Sequence, residues 1–163
     1  MKKYSTDYIT KGAIIGALYI ILTLISNAAG LANGVIQIRI SEALCCLPMM
    51  IPAAVPGLFV GCLLSNLLTG AAFLDVVFGS IATLIGAIGT YYMRNVKRKI
   101  LGLLPPIIAN TAIIPVILLK VYGFEGSFWY FVITVLIGEV ISAGVLGYIL
   151  QRVLGKRAGF LNM

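Results

Sequence analysis

The chain has 163 residues, of which 61% are hydrophobic and only 10% are charged, and its mean hydropathy is +1.08. Soluble domains contain about 45–50% apolar residues, so this composition predicts an integral membrane protein. The net charge of +7 does not indicate nucleic-acid binding, because the basic residues flank apolar stretches and form no basic face with interleaved aromatic rings.

The basic residues predict the topology. Ten of the twelve Lys and Arg residues fall in three short clusters, at 2–11, 94–99 and 152–157. Short basic segments stay on the cytoplasmic side of a membrane during insertion. We therefore expect both termini and the central loop at 94–99 on that side, with an even number of crossings before and after the loop.

Apolar stretches then define the spans of a single membrane domain, residues 1–163. Each crossing helix needs about 20 residues, which leaves room for about six short spans. We predict an all-α membrane protein, a bundle of six transmembrane helices at 8–28, 41–52, 56–70, 73–93, 101–121 and 128–153. Prolines at 48, 52 and 56 separate the second helix from the third. One kinked helix across 49–69 would instead leave an odd number of crossings.

The segment between the first two predicted helices has a different pattern. After the turn signal Asn33-Gly34, apolar and polar side chains alternate from 35 to 40, which favours an extended backbone. Extended backbone cannot face lipid with unpaired polar groups. We therefore expect this short extended segment to lie across the outer mouth of the bundle as a lid.

Polar residues within the apolar stretches are the candidates for a binding cavity. An ionisable group in hydrocarbon costs about 2.5–3.5 kcal/mol, so each needs a partner or a function. Glu139 lies near the middle of the sixth predicted helix and is the strongest candidate, although it could merely pair with another helix. The other candidates, all in the outer half or centre of the bundle, are Gln37, Arg39, Glu42, Asn66, Asp75 and Asn110.

Most of these candidates also have a simpler interpretation. Arg39 and Glu42 are close enough in the chain to form an ion pair at the mouth. Glu42 and Asp75 fall in the first turn of helices, where the backbone dipole stabilises a carboxylate. Asn66 and Asn110 could bridge helices.

Two surface features of the predicted helices allow two interpretations each. Trp129 and Tyr130 fit an interfacial aromatic belt, or rings that stack on a flat ligand. The first helix carries a repeated small-xxx-small pattern, which lets another helix approach closely. That face, formed by Gly12, Ala13, Gly16 and Ala17, would either pack inside the bundle or dock on a separate membrane subunit.

The sequence carries no pattern typical of an enzyme or a metalloprotein. It has no histidine and no G-x-x-x-x-G-K-[ST] phosphate loop. The three cysteines lack metal-ligand spacing and fit small buried apolar residues. We therefore expect no cofactor, no metal and no enzymatic activity, and we find no inverted repeat typical of a self-sufficient carrier.

Five segments resemble a known family: 16–23, 36–44, 57–66, 74–80 and 137–139. The most specific are the Arg-Ile-Ser-Glu-Ala-Leu block that begins at Arg39 and the Asp-Val-Val-Phe-Gly block that begins at Asp75. Together they are similar to the queuosine-precursor transporter (QueT) family, whose members resemble substrate-binding S components of energy-coupling factor (ECF) transporters. The resemblance covers nearly the whole chain.

This resemblance implies a six-helix subunit of a bacterial plasma membrane with both termini in the cytoplasm. It also implies partners, namely a transmembrane coupling subunit and two cytosolic ATPase subunits. In such S components a small-residue motif on the first helix contacts the coupling subunit, and Ala13-x-x-x-Ala17 stands at that place. ATP hydrolysis in the partners would drive uptake after the lid closes on the cargo.

The cargo that the family implies is a 7-deazaguanine such as preQ1, preQ0 or queuine. A guanine-like edge presents two adjacent N–H donors, which one carboxylate can accept. We assign that role to Glu139, with Asp75 or Glu42 as alternatives. Asn110 and Asn66 would bind the carbonyl group or a ring nitrogen, and Trp129 or Tyr130 would stack on the base.

Two other functions remain open from the sequence. The first keeps the S-component fold but changes the cargo to another vitamin, such as riboflavin or thiamine. The second is an autonomous channel or proton-coupled carrier in which Glu139 binds a proton.

Overall fold

A computed structural model describes residues 5–32, 36–123 and 125–161, with only the backbone from 157 onwards. Within these ranges the chain is helical and contains no strand. The α-helices are α1 (Thr6–Ala28), α2 (Ala54–Leu68), α3 (Phe73–Tyr92), α4 (Leu104–Lys120), α5 (Phe128–Glu139) and α6 (Gly147–Leu161). A 3₁₀ helix at Ile40–Met49 lies between α1 and α2, and a π-helical segment at Val140–Leu146 joins α5 to α6. Two short 3₁₀ helices, Met93–Asn95 and Lys99–Leu103, connect α3 to α4.

Glycine pairs bring α1 and α2 into backbone contact. A Cβ built on Gly57 would lie 2.5 Å from the carbonyl oxygen of Gly12, and one built on Gly61 would lie 2.9 Å from that of Gly16. Small residues one turn apart allow this close approach. Because the contacts advance together along both helices, α1 and α2 run in the same direction.

The 3₁₀ helix between them returns through the centre of the bundle. It begins after Arg39, whose backbone N–H bonds to Ser142, and ends at Met49, which packs on Gly102. Its residues from Ser41 to Met49 are all buried. Its residues from Ala43 to Met49 are all apolar, which suits a position in the core. Its ten residues span roughly 20 Å at the rise of a 3₁₀ helix.

The helices alternate between two ends of the bundle. Gly86 and Gly89 of α3 pack against Pro106 and Pro105 at the start of α4, so these helices form an antiparallel hairpin. Gln151 of α6 donates to the carbonyl of Lys99 at 3.4 Å, which places the clusters at 94–99 and 152–157 at one end. We call this the basic end, and the other the opposite end.

Among the described residues, four helical stretches are long and apolar enough to cross a membrane, at Thr6–Ala28, Phe73–Asn95, Lys99–Lys120 and Phe128–Lys156. The helices Ile40–Met49 and Ala54–Leu68 are apolar but shorter. The predicted break between the second and third helices is confirmed, because a turn at 50–53 separates the 3₁₀ helix from α2. The sequence predicted six spans, whereas in the part of the chain that the structure describes four stretches reach full length and two are short.

The predicted extended segment forms no strand in its described part. Residue 36 is a bend and residues 37–39 have no regular structure, although the backbone of Arg39 is extended, with φ −108° and ψ 106°. Residues 33–35, which include the predicted turn, lie outside the described ranges. The alternating pattern therefore marks irregular backbone inside the bundle, and its role as a lid stays a prediction.

Candidate substrate-binding site

A wide cavity of about 330 Å³ lies near the opposite end of the bundle. It is bounded by the end of α1, the turn between α2 and α3, and the end of α4. The polar side chains around it include Thr23, Asn27, Gln37, Arg39, Asn66, Thr69, Asp75 and Tyr122. Polar groups that converge on a cavity in an apolar bundle are typical of a small-molecule site.

A second, small cavity of about 20 Å³ adjoins the wide one. Gln37, Arg39 and Ile114 line both of them, so they form the boundary. The polar groups that line only the small cavity are Glu42, Thr83, Asn110 and Glu139. Its size is about that of one water molecule or one small polar group.

Gln37 and Arg39 belong to residues 36–39, which we call the dividing segment because it lies at the boundary between the two cavities. Its backbone is held at three points: Ile38 N donates to Leu31 O at 2.9 Å, Arg39 N to Ser142 Oγ at 3.1 Å, and the following Ile40 N to Ser26 Oγ at 2.9 Å. Gln37 packs on Gly138 of α5, where a Cβ would collide with the Gln37 carbonyl oxygen. These contacts satisfy backbone groups that have no helix to bond them.

The predicted ion pair between Arg39 and Glu42 is wrong, since neither residue forms an ion pair in the part of the chain that the structure describes. Arg39 instead donates to Asn66 Oδ1 at 3.5 Å. Glu42 is 2% exposed and faces α1, where it accepts hydrogen bonds from the Tyr19 hydroxyl and, at 3.1 Å, from Cys45 Sγ. A buried carboxyl group needs such donors, and Tyr19 and Cys45 supply them in place of Arg39.

Glu139 lies beside Asn110 and Glu42 at the small cavity. Its Oε2 atom is buried and, among the side chains that the structure describes, has no hydrogen-bond partner. Leaving a buried acceptor unpaired costs about 1–3 kcal/mol. Because Glu139 Oε2 lacks a partner and Glu139 lines the small cavity, this oxygen is a candidate ligand contact.

Asp75, at the start of α3, is held by the end of α4. The Tyr122 hydroxyl donates to Asp75 Oδ2 at 2.8 Å and accepts from the backbone N–H of Ala72 at 3.2 Å. Partial burial raises the pKa of Tyr122, and the bond to Asp75 adds to the rise, so the phenol remains a neutral donor at physiological pH. Gly79 leaves room here, because a Cβ on it would lie 3.2 Å from Asp75 Oδ1 and 3.3 Å from Asn66 Nδ2.

The structure brings seven of the nine predicted substrate-binding residues to the two cavities, but not the two aromatic ones. Trp129 is 70% exposed and Tyr130 is 45% exposed, and neither lines either cavity. Their position fits the other interpretation of these rings, an interfacial belt. Stacking of either ring on a ligand in these cavities would need a rearrangement of α5.

The four small residues of α1 divide into two pairs. Gly12 and Gly16 contact α2, while Ala13 and Ala17 are exposed. All four line an apolar surface groove of about 820 Å³ between α1 and α2. Packing inside the bundle therefore occupies the glycines, and docking through the alanines stays a prediction.

Several site residues escaped the sequence analysis. Tyr19, Thr23 and Ser26 share one buried face of α1 at spacings of four and three residues, and a polar stripe at helical spacing could have been found. Ser142 and Tyr122 gave no such signal. Ser142 acts through its contact with Arg39, and Tyr122 through its contact with Asp75, and both partners are distant in the chain.

Similarity to known proteins identifies the family of this chain. The family described as QueT transporter matches residues 9–156. A Queuosine precursor transporter QueT from Lactococcus lactis subsp. cremoris (strain MG1363) is 35% identical over 85 residues, a stretch that covers 52% of this chain and 50% of the relative. The chain thus matches about half the length of that relative. No solved structure matches this chain. Its several apolar helices fit a multi-pass membrane protein. The resemblance seen in the sequence is confirmed, because the family matches nearly the whole chain, and the protein belongs to the QueT transporter family.

Proposed function

We propose that this chain is the substrate-binding S component of an ECF-type importer and that it captures a queuosine precursor, a 7-deazaguanine. The observation that carries the proposal is the pair of adjoining cavities, which are lined by amide, guanidinium and carboxylate groups inside an apolar bundle. The relative from Lactococcus lactis, of which this chain matches half, is named as a queuosine precursor transporter.

The direction of capture follows from the charge distribution. The wide cavity lies at the opposite end, away from the clusters at 94–99 and 152–157. Basic segments favour the cytoplasmic side of a bacterial plasma membrane. The cavity would then open to the outside, where a nutrient is collected.

The chemistry of the wide cavity suits a planar base. A volume of about 330 Å³ is at the lower end of the range for small-molecule sites, roughly 300–1,000 Å³. Asp75 can accept the two adjacent N–H groups of a guanine-like edge, while Arg39 and the amides of Asn66 and Gln37 can donate to its carbonyl. We assign the paired donors to Asp75 and not to Glu139, because Glu139 lines only the small cavity, which is too small for a base.

Transport would need partner subunits. The exposed alanines of α1, Ala13 and Ala17, line an apolar groove that a transmembrane coupling subunit could cover. Two cytosolic ATPases would supply the energy through that subunit, and the dividing segment would close over the cargo. An autonomous proton-coupled carrier is the second candidate, and the unpaired Glu139 Oε2 favours it as a proton-binding site.

Two experiments test the proposal. The affinities of the purified protein for preQ1, preQ0, queuine, riboflavin and thiamine should show tight binding of at least one 7-deazaguanine and none of either vitamin. Tight binding of a vitamin alone would overturn the cargo assignment. Liposomes that contain only this chain should not accumulate the cargo, whereas addition of the coupling subunit and ATPases should restore uptake. Uptake by the chain alone would support the carrier instead.

A further inference from the structure

Acidic groups outnumber basic groups around the two cavities. Among the described residues that line them, the ionisable carboxylic acids are Glu42, Asp75 and Glu139, and the only basic group is Arg39. With all four ionised, the site has two uncompensated negative charges. Uncompensated charge is costly in the interior of a membrane protein.

Two of these carboxylic acids face the small cavity. Glu42 accepts from two donors, the Tyr19 hydroxyl and the Cys45 thiol. Each carboxylate oxygen has further acceptor capacity. Across the cavity, Glu139 Oε2 is buried without a hydrogen-bond partner among the described side chains.

Resting on the proposed function, we infer that the small cavity is a subsite for a protonated amine of the cargo, which binds between Glu42 and Glu139 while the base occupies the wide cavity. A cargo with an aminomethyl cation is therefore preferred over one with a neutral substituent at the same position. The aminomethyl group of such a cargo extends from the wide cavity into the small one. It passes between them at Gln37, Arg39 and Ile114, which line both cavities.

An ammonium group matches this cavity in size and in hydrogen bonding. The volume of about 20 Å³ holds one small group. An ammonium has three N–H donors and no acceptor, so it can bind Glu139 Oε2 and Glu42 without leaving a lone pair opposed to a carboxylate. A nitrile nitrogen, by contrast, would place an acceptor against two acceptors. Arg39 donates towards Asn66, at 3.5 Å, on the side of the wide cavity.

The test compares three ligands on the wild-type protein by calorimetric titration: 7-aminomethyl-, 7-hydroxymethyl- and 7-cyano-7-deazaguanine. The hydroxymethyl compound is nearly isosteric with the amine but uncharged. We expect the amine to bind about ten- to a hundredfold more tightly than either neutral ligand, because hydrogen bonds to charged groups are the strong ones. This comparison needs no variant and so does not depend on the folding of one.

Isosteric variants then locate the subsite. Glu139→Gln and Glu42→Gln should each lower the affinity for the amine by about tenfold or more and change that for the hydroxymethyl ligand by less than about threefold. Glu125→Gln is the matched control, since Glu125 is exposed and lines neither cavity. Asp75→Asn should weaken all three ligands equally, because it acts on the base.

Equal affinities of the amine and the hydroxymethyl ligand in the wild type would overturn this inference and leave the proposed function in place. A Glu139→Gln protein that folds and binds both ligands with equally reduced affinity would overturn it too. If no 7-deazaguanine binds at all, the proposed function itself fails.

Discussion

Gln37 and Gly138, 101 positions apart in the chain, are in direct backbone contact: the carbonyl of Gln37 lies where a side chain on Gly138 would begin. Gly138 is the penultimate residue of α5, one position before Glu139. The contact places the dividing segment directly on the helix that carries the unpaired carboxylate. The position of the dividing segment therefore depends on the absence of a side chain at Gly138.

Gly138→Ala should displace the dividing segment and lower ligand affinity by about five- to a hundredfold, since overpacking costs about 1–3 kcal/mol. Gly144→Ala is the matched control on the same span, because its Cβ would meet Ile107 Cδ1 at an ordinary 3.6 Å. Affinity is measured by titration and folding by thermal unfolding. Unchanged affinity in Gly138→Ala would show that the segment does not shape the site.

Ser142→Ala removes the hydroxyl that accepts from Arg39 N at 3.1 Å. The loss of one hydrogen bond, with an N–H left unpaired, should cost about 1–3 kcal/mol and release the ligand faster. Ser80→Ala is the control, since its hydroxyl donates to Val76 O of its own helix. Dissociation rates from stopped-flow measurements test this, and equal rates in both variants would contradict it.

Tyr122→Phe removes the donor to Asp75 Oδ2 at 2.8 Å and should lower affinity about two- to tenfold, the effect of one hydrogen bond worth about 0.5–1.5 kcal/mol. Tyr92→Phe, at a residue that is 78% exposed, makes the same chemical change away from the site. If affinity in Tyr122→Phe matches that in the control, the contact does not position Asp75.

The contact between Tyr122 and Asp75 also predicts a pH profile. Partial burial raises the pKa of Tyr122, so its protonated, donating form persists to a higher pH than that of a free tyrosine. The affinity lost in Tyr122→Phe should therefore be the same from about pH 6 to about pH 9, below the ordinary tyrosine pKa of about 10. A penalty that disappears within this range would show that the phenol ionises there.

Substitutions on α1 and α2 should separate folding from transport. Gly57→Leu should destabilise the protein, since even a Cβ at this position would lie 2.5 Å from Gly12 O. Ala13→Leu with Ala17→Leu should leave thermal stability and ligand affinity unchanged, because both alanines are exposed. Uptake in cells that contain the partner subunits should nevertheless stop. Normal uptake by the double variant would show that this face does not dock.

The proline and glycine positions made much of the fold predictable. Pro48 and Pro52 interrupt the apolar stretch where the 3₁₀ helix ends and α2 begins, and Gly12 and Gly16 mark the face of α1 that contacts α2. These residues act through local backbone sterics, which are encoded at each position. Their consequences can be read without knowledge of the partner helix.

The direction of each side chain was less predictable. Trp129 and Glu139 belong to one span, yet Trp129 faces outwards and Glu139 faces a cavity. The π-helical segment that begins at Val140 changes the helical phase directly after Glu139. No periodic pattern in the sequence marks that change.

The amino-acid sequence by itself indicated a lipid environment, the break between the second and third predicted helices and the presence of polar groups at membrane depth. These follow from hydropathy and backbone sterics, which act locally. Only the tertiary structure decided that Glu42 bonds to Tyr19 and not to Arg39, that Ser142 holds the dividing segment, and that Glu139 Oε2 has no partner among the described side chains. The physical reason is that the depth of a residue in the membrane depends on its own hydropathy. The direction of its side chain depends instead on packing between helices that are distant in the chain.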